Sequence, residues 1–570
     1  MDKKMVFESE KTQVNVDDAS SKTLPHVPNR KGELSAEAKK LLAIYSQISG
    51  VIATGYSGET VAVSEVLSSV AFFYERVRNA VEYKGEHLLK RNAIERILKR
   101  KIWENPVPNP LELSKSLMRE LIWARYIENA SVPKKKEEEV SQIIARYLKI
   151  LKEISRKETA GDKKSVNEIK EWFLGVASCE IEEALDPKVA YLDAATYPAY
   201  LWFKNRYIWL EEGLEEKEKD LQIFIAVHRS LTKSDEERVR HHLLQVFYPD
   251  WETADTEKII NGTRNLFEIR EEIEKHMKSR YQPKIYRFVK RQSAAFQVLK
   301  EIVEEDIDSA QKVMELPQLL EEKIWEVCKA RYNEIYKKVN RGIIRSIIYI
   351  FSTKVLFAFL VEIPYELVFI GSLNFLAITI NTILPPSLMF FMGLTIRKPK
   401  DANTKRVIER VKSFVYQKDD GEKIKFTLTS PQKRSLTYRI FAGIYALLFI
   451  LTFGGITYFL LGLGFNIASI GVFFVFLSLV LLFAYRVRFT ASELNVTREK
   501  EGFLSHLFTN VSLPFLNLGV WLSETFSRFN FLTILMDFLF EVPFKKIISV
   551  FEDWTSFIRE RKEEVVEVPS

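Results

Sequence analysis

Two stretches of this chain, 343–395 and 438–485, are apolar over lengths that a water-facing surface does not carry, and they constrain the fold more than any other feature. A transmembrane helix needs about 20 mostly apolar residues, so each stretch is long enough to cross a bilayer and return. Average composition conceals this. With 28% charged and 47% hydrophobic residues over 570, the chain resembles an ordinary soluble protein, because residues 1–341 are dense in Lys, Arg, Glu and Asp. The expected architecture is all-α: a multi-helix cytosolic N-terminal region, then a polytopic helical membrane region of two transmembrane hairpins followed by C-terminal interfacial helices.

Charge sets the expected orientation. Lys337, Lys338, Arg341 and Arg345 precede the first hairpin, and Arg486, Arg488, Arg498 and Lys500 follow the second. Between them lie Arg397, Lys398, Lys400, Lys405, Arg406, Arg410 and Lys412, among other basic residues. The expected outer turns, Ile363 to Leu367 and Leu461 to Asn466, contain no Lys or Arg. The positive-inside rule then puts all three basic regions and both termini in the cytoplasm of a multi-pass cell-membrane protein. The net charge of +7 reflects this topology, and nucleic acid is not an expected partner. Residues 1–34 lack the apolar core of a signal peptide and are expected to be a disordered lead. Cys179 and Cys328, in separate predicted helices, make neither a disulfide framework nor a Cys-only zinc site, which fits a reducing compartment.

Apolar residues at Leu41, Leu42, Tyr45, Ile48 and Ile52 recur at helical spacing. The run Asn105-Pro106-Val107-Pro108-Asn109-Pro110 cannot be helical, and it is read as the boundary between helical regions 35–105 and 110–316. Ser165 and Ser234, each followed three residues on by Glu168 or Glu237, are expected helix caps. Residues 317–342 contain no breaker after Pro317 and read as a stalk helix entering the first hairpin, 343–395. A basic cytoplasmic loop, 396–437, leads to the second hairpin, 438–485. In the remainder, 486–570, the apolar runs Val511 to Leu522 and Phe529 to Phe540 have the length of interfacial segments. Residues 355–365 and 534–544 share an apolar run ending in an acid, a β-branched residue, proline and an aromatic, read as shared helix-end composition.

Chemical motifs are sparse. The chain has no Gly-x-x-x-x-Gly-Lys-Ser/Thr, and Gly462-x-Gly464 belongs to a hydrophobic turn rather than a dinucleotide site. None of the seven His lies in His-Glu-x-x-His or Glu-x-x-His, and His241-His242, adjacent on a helix, point apart. Gly55-Tyr56-Ser57-Gly58 lacks the strand context of a nucleophile elbow and reads as a loop. No metal ligand set, catalytic residue or cofactor site is assigned.

Two constellations carry weight. Tyr197, Tyr200, Trp202, Arg206 and Trp209 form an aromatic run with basic residues, the composition of a partner-binding hot spot; packing within the helical body is the simpler reading. Lys354, Glu362, Glu366, Asn374 and Asn381 interrupt the first apolar stretch, and Pro385-Pro386 breaks it. Ionisable groups in hydrocarbon are costly unless paired, so these are transport candidates, with structural pairing or snorkelling as the plainer account. The expected function is a membrane-anchored scaffold binding a protein partner, a second copy or the bilayer surface. An oligomeric transporter or channel is the alternative, and a membrane-bound enzyme stands third.

Overall fold

The computed structural model describes residues 32–53, 58–63, 88–105, 107–156, 163–209, 215–251, 263–396, 398–416, 424–426, 436–491, 495–496 and 503–528, with single positions in 68–79 and 550–562. The lead up to residue 31, most of the Gly55 to Gly58 loop, much of 417–435, the Phe529 to Phe540 run and the second copy of the echo lie outside the described residues.

The chain is all-α. The N-terminal body comprises α1 (Ala36–Ala53), α2 (Leu89–Glu104), α3 (Pro110–Trp123), α4 (Lys135–Arg156), α5 (Lys163–Leu185), α6 (Val189–Asp193), α7 (Thr196–Arg206), α8 (Glu216–Leu231), α9 (Glu236–Phe247), α10 (Thr263–Met277), α11 (Gln282–Glu305) and α12 (Ile307–Glu315). These pack into two apolar cores. The first gathers Ile94 and Ile97 of α2, Leu117 and Leu121 of α3, Tyr147 and Ile150 of α4, Phe173 and Ile181 of α5, and Val239 and Leu243 of α9. The second gathers Leu41 and Tyr45 of α1, Trp202 and Phe203 of α7, and Phe296 and Leu299 of α11. Helix α8 serves both, with Leu221 and Ile225 in the first and Ile223, Ala226 and Val227 in the second.

The proline run at Asn105 to Pro110 is a turn between α2 and α3, both of which contribute to the first core. Asn109 caps α3 by accepting from the amides of Leu111 (2.9 Å) and Glu112 (3.4 Å), and Pro110 supplies the preset φ of a first helical residue. The two expected Ser caps shift. Helix α5 begins at Lys163, before Ser165, and the cap of α9 is Asp235, whose carboxylate accepts from the Arg238 amide. Asp and Ser cap equally well, and the Ser234 hydroxyl is engaged with Thr232 instead.

Among the described residues, four helices are long and apolar enough to cross a membrane. The first, α13 (Pro317–Ile370), runs unbroken for 54 residues from the second core into the apolar bundle. Then come α14 (Phe375–Leu394), the intervening α15 (Asp401–Val415), α16 (Leu436–Gly462) and α17 (Ile467–Ala491). The first turn is not where sequence reading placed it: Ile363 to Leu367 is helical, and the chain reverses at Gly371, in the left-handed conformation (φ 76°), before Asn374. Pro364 does not end the helix, because π-type turns at Ala358–Glu362 and Glu366–Ile370 absorb its missing donor and its clash with the Leu360 carbonyl.

Bundle helices approach closely where small residues allow. A Cβ at Gly393 of α14 would meet the Ile343 side chain at 2.9 Å, and Val339, Ile343, Met389, Val480 and Ala484 form a core joining α13, α14 and α17. A further helix, α18 (Phe503–Arg528), contains the Val511 to Leu522 run and packs on α17 at Gly519, where a Cβ would meet the Ser478 carbonyl at 2.6 Å. Asn517 of α18 also donates to the Tyr445 hydroxyl of α16 (2.6 Å), an anchorage that run length alone did not suggest.

The segment between the hairpins is not a free loop. Val407, Ile408, Val411, Phe414 and Val415 of α15 are buried in the second core beside Leu320 and Ile324 of α13. The Ser35 hydroxyl and amide bond to the Phe414 and Val415 carbonyls (2.7 and 2.8 Å). A short parallel pair, β1 (Tyr207–Trp209) with β2 (Ile424–Phe426), adds a second tie. Because Phe414 packs edge-on against Phe296 and Trp202, Phe414→Ala is expected to cost about 3–5 kcal/mol. Denaturant unfolding of the purified protein measures this. A shift within about 0.5 kcal/mol, typical of a surface site, would show that α15 contributes no core.

Candidate functional site

The five polar residues of the first apolar stretch come together. Lys354, Glu362, Glu366 and Asn381 are 0%, 5%, 1% and 1% exposed, and Asn374 is half-buried at the turn. The Lys354 ammonium donates to Glu362 Oε1 at 2.6 Å and lies 4.5 Å from the centre of the Phe476 ring of α17. Eight residues apart on a regular α-helix, these side chains would sit about 80° out of phase. The π turn at Ala358–Glu362, in which the Ile363 amide bonds back to Ala358, spreads more residues over one turn and brings them onto one face. The local sequence responsible is Pro364.

Asn381 of α14 extends the pair to a second and a third helix. Its amide nitrogen lies 3.3 Å from Glu362 Oε1 and 3.3 Å from the Ser469 carbonyl of α17. Glu366 organises the end of the bundle nearest the turns. Its Oε2 accepts from the Asn374 amide (2.9 Å), and its Oε1 faces Asn466 Nδ2 (3.2 Å) and the Ser469 hydroxyl (3.4 Å). Asn374 and Asn466 are the N-caps of α14 and α17, accepting from Ala377 (3.0 Å) and Ser469 (2.8 Å). One carboxylate therefore stands at the N-termini of two helices, where oriented amides favour negative charge. Asn374 also donates to the Gly464 carbonyl (2.8 Å), tying one turn to the other. Sequence reading missed Asn466 and Ser469, although Asn-x-x-Ser after a Gly-rich turn is a recognisable cap signal.

Chemically, the arrangement is a paired charge and a second carboxylate whose remaining contacts are amides, a hydroxyl, a carbonyl and an aromatic ring. Two acceptors, Glu362 Oε2 and Asn381 Oδ1, have no hydrogen-bond partner among the described residues. The network can fix the register of three helices, and it has spare acceptor capacity.

The aromatic candidates are dispersed by contrast. Trp202 is in the second core against Phe296 and Phe414, so it has no free face. Arg206 lies over the Trp202 ring at 5.2 Å and is half-buried, as are Tyr200 and Trp209; Trp209 stands in β1 opposite Phe426. Tyr197 is exposed, stacks on Tyr200 at 6.3 Å and lies beneath Lys40 at 5.8 Å.

No protein-family model, curated protein or solved structure matches this chain.

Breaking the buried pair leaves one charge uncompensated, at about 3–5 kcal/mol, whereas replacing both partners with apolar groups is often neutral. Glu362→Gln is therefore expected to lower the thermal midpoint of the detergent-solubilised protein markedly, and Lys354→Met with Glu362→Leu to recover most of the loss. Additive losses in that double-mutant cycle would show that the two groups do not act as a pair.

Proposed function

We propose that this chain is a membrane-anchored scaffold, with the N-terminal helical body held on the cytoplasmic face of the cell membrane and offered there to a protein partner. The observation that carries this reading is the fusion of body and bundle. Helix α13 belongs to both, α15 returns from the bundle to complete the second core, and the Val496 amide bonds to Asn403 Oδ1 of α15 at 2.8 Å beyond the fourth span. A tethered domain would have a mobile linker; here the body's orientation is set by packed helices. The burial of Lys354, Glu362 and Asn381 also favours anchoring, since a transport site must open to water on each side. Basic residues at the body end of α13, α15 and α17 support the cytoplasmic assignment.

A second reading, an oligomeric transporter or channel, is favoured by the unpartnered Glu362 Oε2 and Asn381 Oδ1, which offer acceptors to a proton or cation. The two readings separate by experiment. A photocrosslinker at exposed Tyr197 in native membranes should trap a discrete adduct containing a second protein, and liposomes holding the purified chain should show no ion flux. Flux that Glu362→Gln abolishes, with no adduct at Tyr197, would replace the scaffold with the transporter.

Topology has its own test. Ser372 is exposed at the first turn, so Ser372→Cys is expected to react with an impermeant thiol reagent outside intact cells, and Lys312→Cys to react only after lysis. Native Cys179 and Cys328 are buried, and burial pushes the Cys328 thiol up to about 11, so neither competes for reagent. Labelling at residue 312 in intact cells would invert the orientation.

A further inference from the structure

We infer that Asp193, His228 and His242 form a binding site for one divalent transition-metal ion of the zinc class, within the helical body and independent of the anchoring reading. The three residues come from three elements: Asp193 ends α6, His228 lies in the last turn of α8, and His242 is mid-α9. Their donor atoms all fall within 4.8 Å of one another. His242 Nε2 is 3.3 Å from Asp193 Oδ2, and His228 Nδ1 is 3.6 Å from Asp193 Oδ1. A tetrahedral ion with bonds of about 2.0–2.1 Å sets its ligands about 3.3–3.4 Å apart; the two His–Asp distances, to different oxygens of one carboxylate, are near this value, and small side-chain rotations would draw the set onto one ion.

The second observation is that these donor atoms are shielded from solvent and face one another rather than any other partner. Asp193 Oδ1, His228 Nδ1 and His242 Nε2 have no hydrogen bond among the described residues, and His228 is 3% exposed. Nearby groups orient them as outer-shell partners do. Gln245 Oε1 lies 3.3 Å from His242 Nδ1, an acceptor that supports the tautomer with its proton on Nδ1 and its Nε2 lone pair free for a metal.

Charge agrees. Around the imidazoles stand the carboxylates of Asp193, Glu182 and Glu183 and the Arg238 guanidinium. Arg238 pairs with Glu182 and approaches Asp193 Oδ2 only to 3.8 Å, while Glu183 bonds His241 at 3.1 Å. Lys90 and Arg91 also act on Glu182, so Asp193 has no guanidinium or ammonium of its own within hydrogen-bonding distance among the described residues. Three protein donors leave a fourth position for water, the pattern of an open zinc site. His241, although adjacent in sequence, faces Glu183 and is not a ligand.

The test uses tag-free full-length protein in detergent, stripped with a chelator and reloaded with Zn2+ or Co2+. About one ion per chain should remain after desalting, with Co2+ giving the visible absorption of a low-coordinate N/O site. Asp193→Asn and His242→Gln should each weaken binding by about tenfold or more, and His241→Gln should bind as the parent does. Zn2+ should raise the thermal midpoint of the parent and of His241→Gln but not of the two ligand variants. Circular-dichroism melts of the stripped proteins verify that each variant is folded, and His242, at the site's accessible edge, provides a second variant if Asp193→Asn unfolds. No retained ion in the reloaded parent, or equal retention by both folded ligand variants, would overturn the assignment.

Discussion

Everything in this molecule hangs on a backbone constraint: α13 must satisfy its own amides and carbonyls in two solvents. A helix is the only open structure that does so in hydrocarbon, and it does equally well in water. At 1.5 Å per residue its 54 residues span about 80 Å, more than twice the 30 Å hydrocarbon core. The surplus packs in the N-terminal body through Leu320, Ile324 and Val327. No loop separates the two parts. The α15 contacts and the Val496 bond oppose hinging at the rod's midpoint.

Continuity creates a second problem. A single rod that carries Lys354, Glu362 and Glu366 into an apolar bundle must satisfy them without loops. Pro364 supplies the means, because the π turns beside it re-phase the helix so that the acid meets the lysine. Neighbouring helices complete the set through their caps, Asn374 and Asn466, which serve their own helix starts and reach Glu366 as well. Such a pair adds little net stability over apolar packing, since desolvation offsets attraction. Its effect is on register. Sliding α13 by one turn would strand both charges.

The fold class was legible because it rests on periodicity and length, which are local properties of the chain. Leu41, Tyr45 and Ile48 mark a helix wherever they occur, and an apolar stretch such as 438–485 has one viable outcome in a bilayer. The first turn was misplaced for a physical reason. Glu362 and Glu366 flank a proline as the ends of a polar turn would, and nothing linear reveals that a π turn will put Glu362 beside Lys354. The segment after the first hairpin was read as a basic loop from its Lys and Arg, yet Val407, Ile408, Val411, Phe414 and Val415 recur at helical spacing within it. The polar candidates at 354–381 were identifiable because charge stands out against apolar sequence. Asp193, His228 and His242 were not, since they are far apart in a region where charge is ordinary.

The positions of the two polar clusters follow one logic. The membrane network lies where α13, α14 and α17 meet, and the Asp193, His228 and His242 cluster lies beside α8, the helix shared by the two cores of the body. Apolar packing is strong but non-directional, so two cores sharing one helix can slide or rotate about it at modest cost. Hydrogen bonds and ligand contacts are directional and are expensive to leave unmade in a low-dielectric interior. Placed at such a joint, a few polar groups distinguish one arrangement from its near neighbours. The same reasoning accounts for Arg91 and Arg238, two buried guanidiniums that link α2 and α5 to the start of α9 through Asp235 and Glu182. Helix α9 thus meets α2 and α5 through charge as well as through Val239 and Leu243, and a shift of its register would break contacts that apolar burial alone would have tolerated.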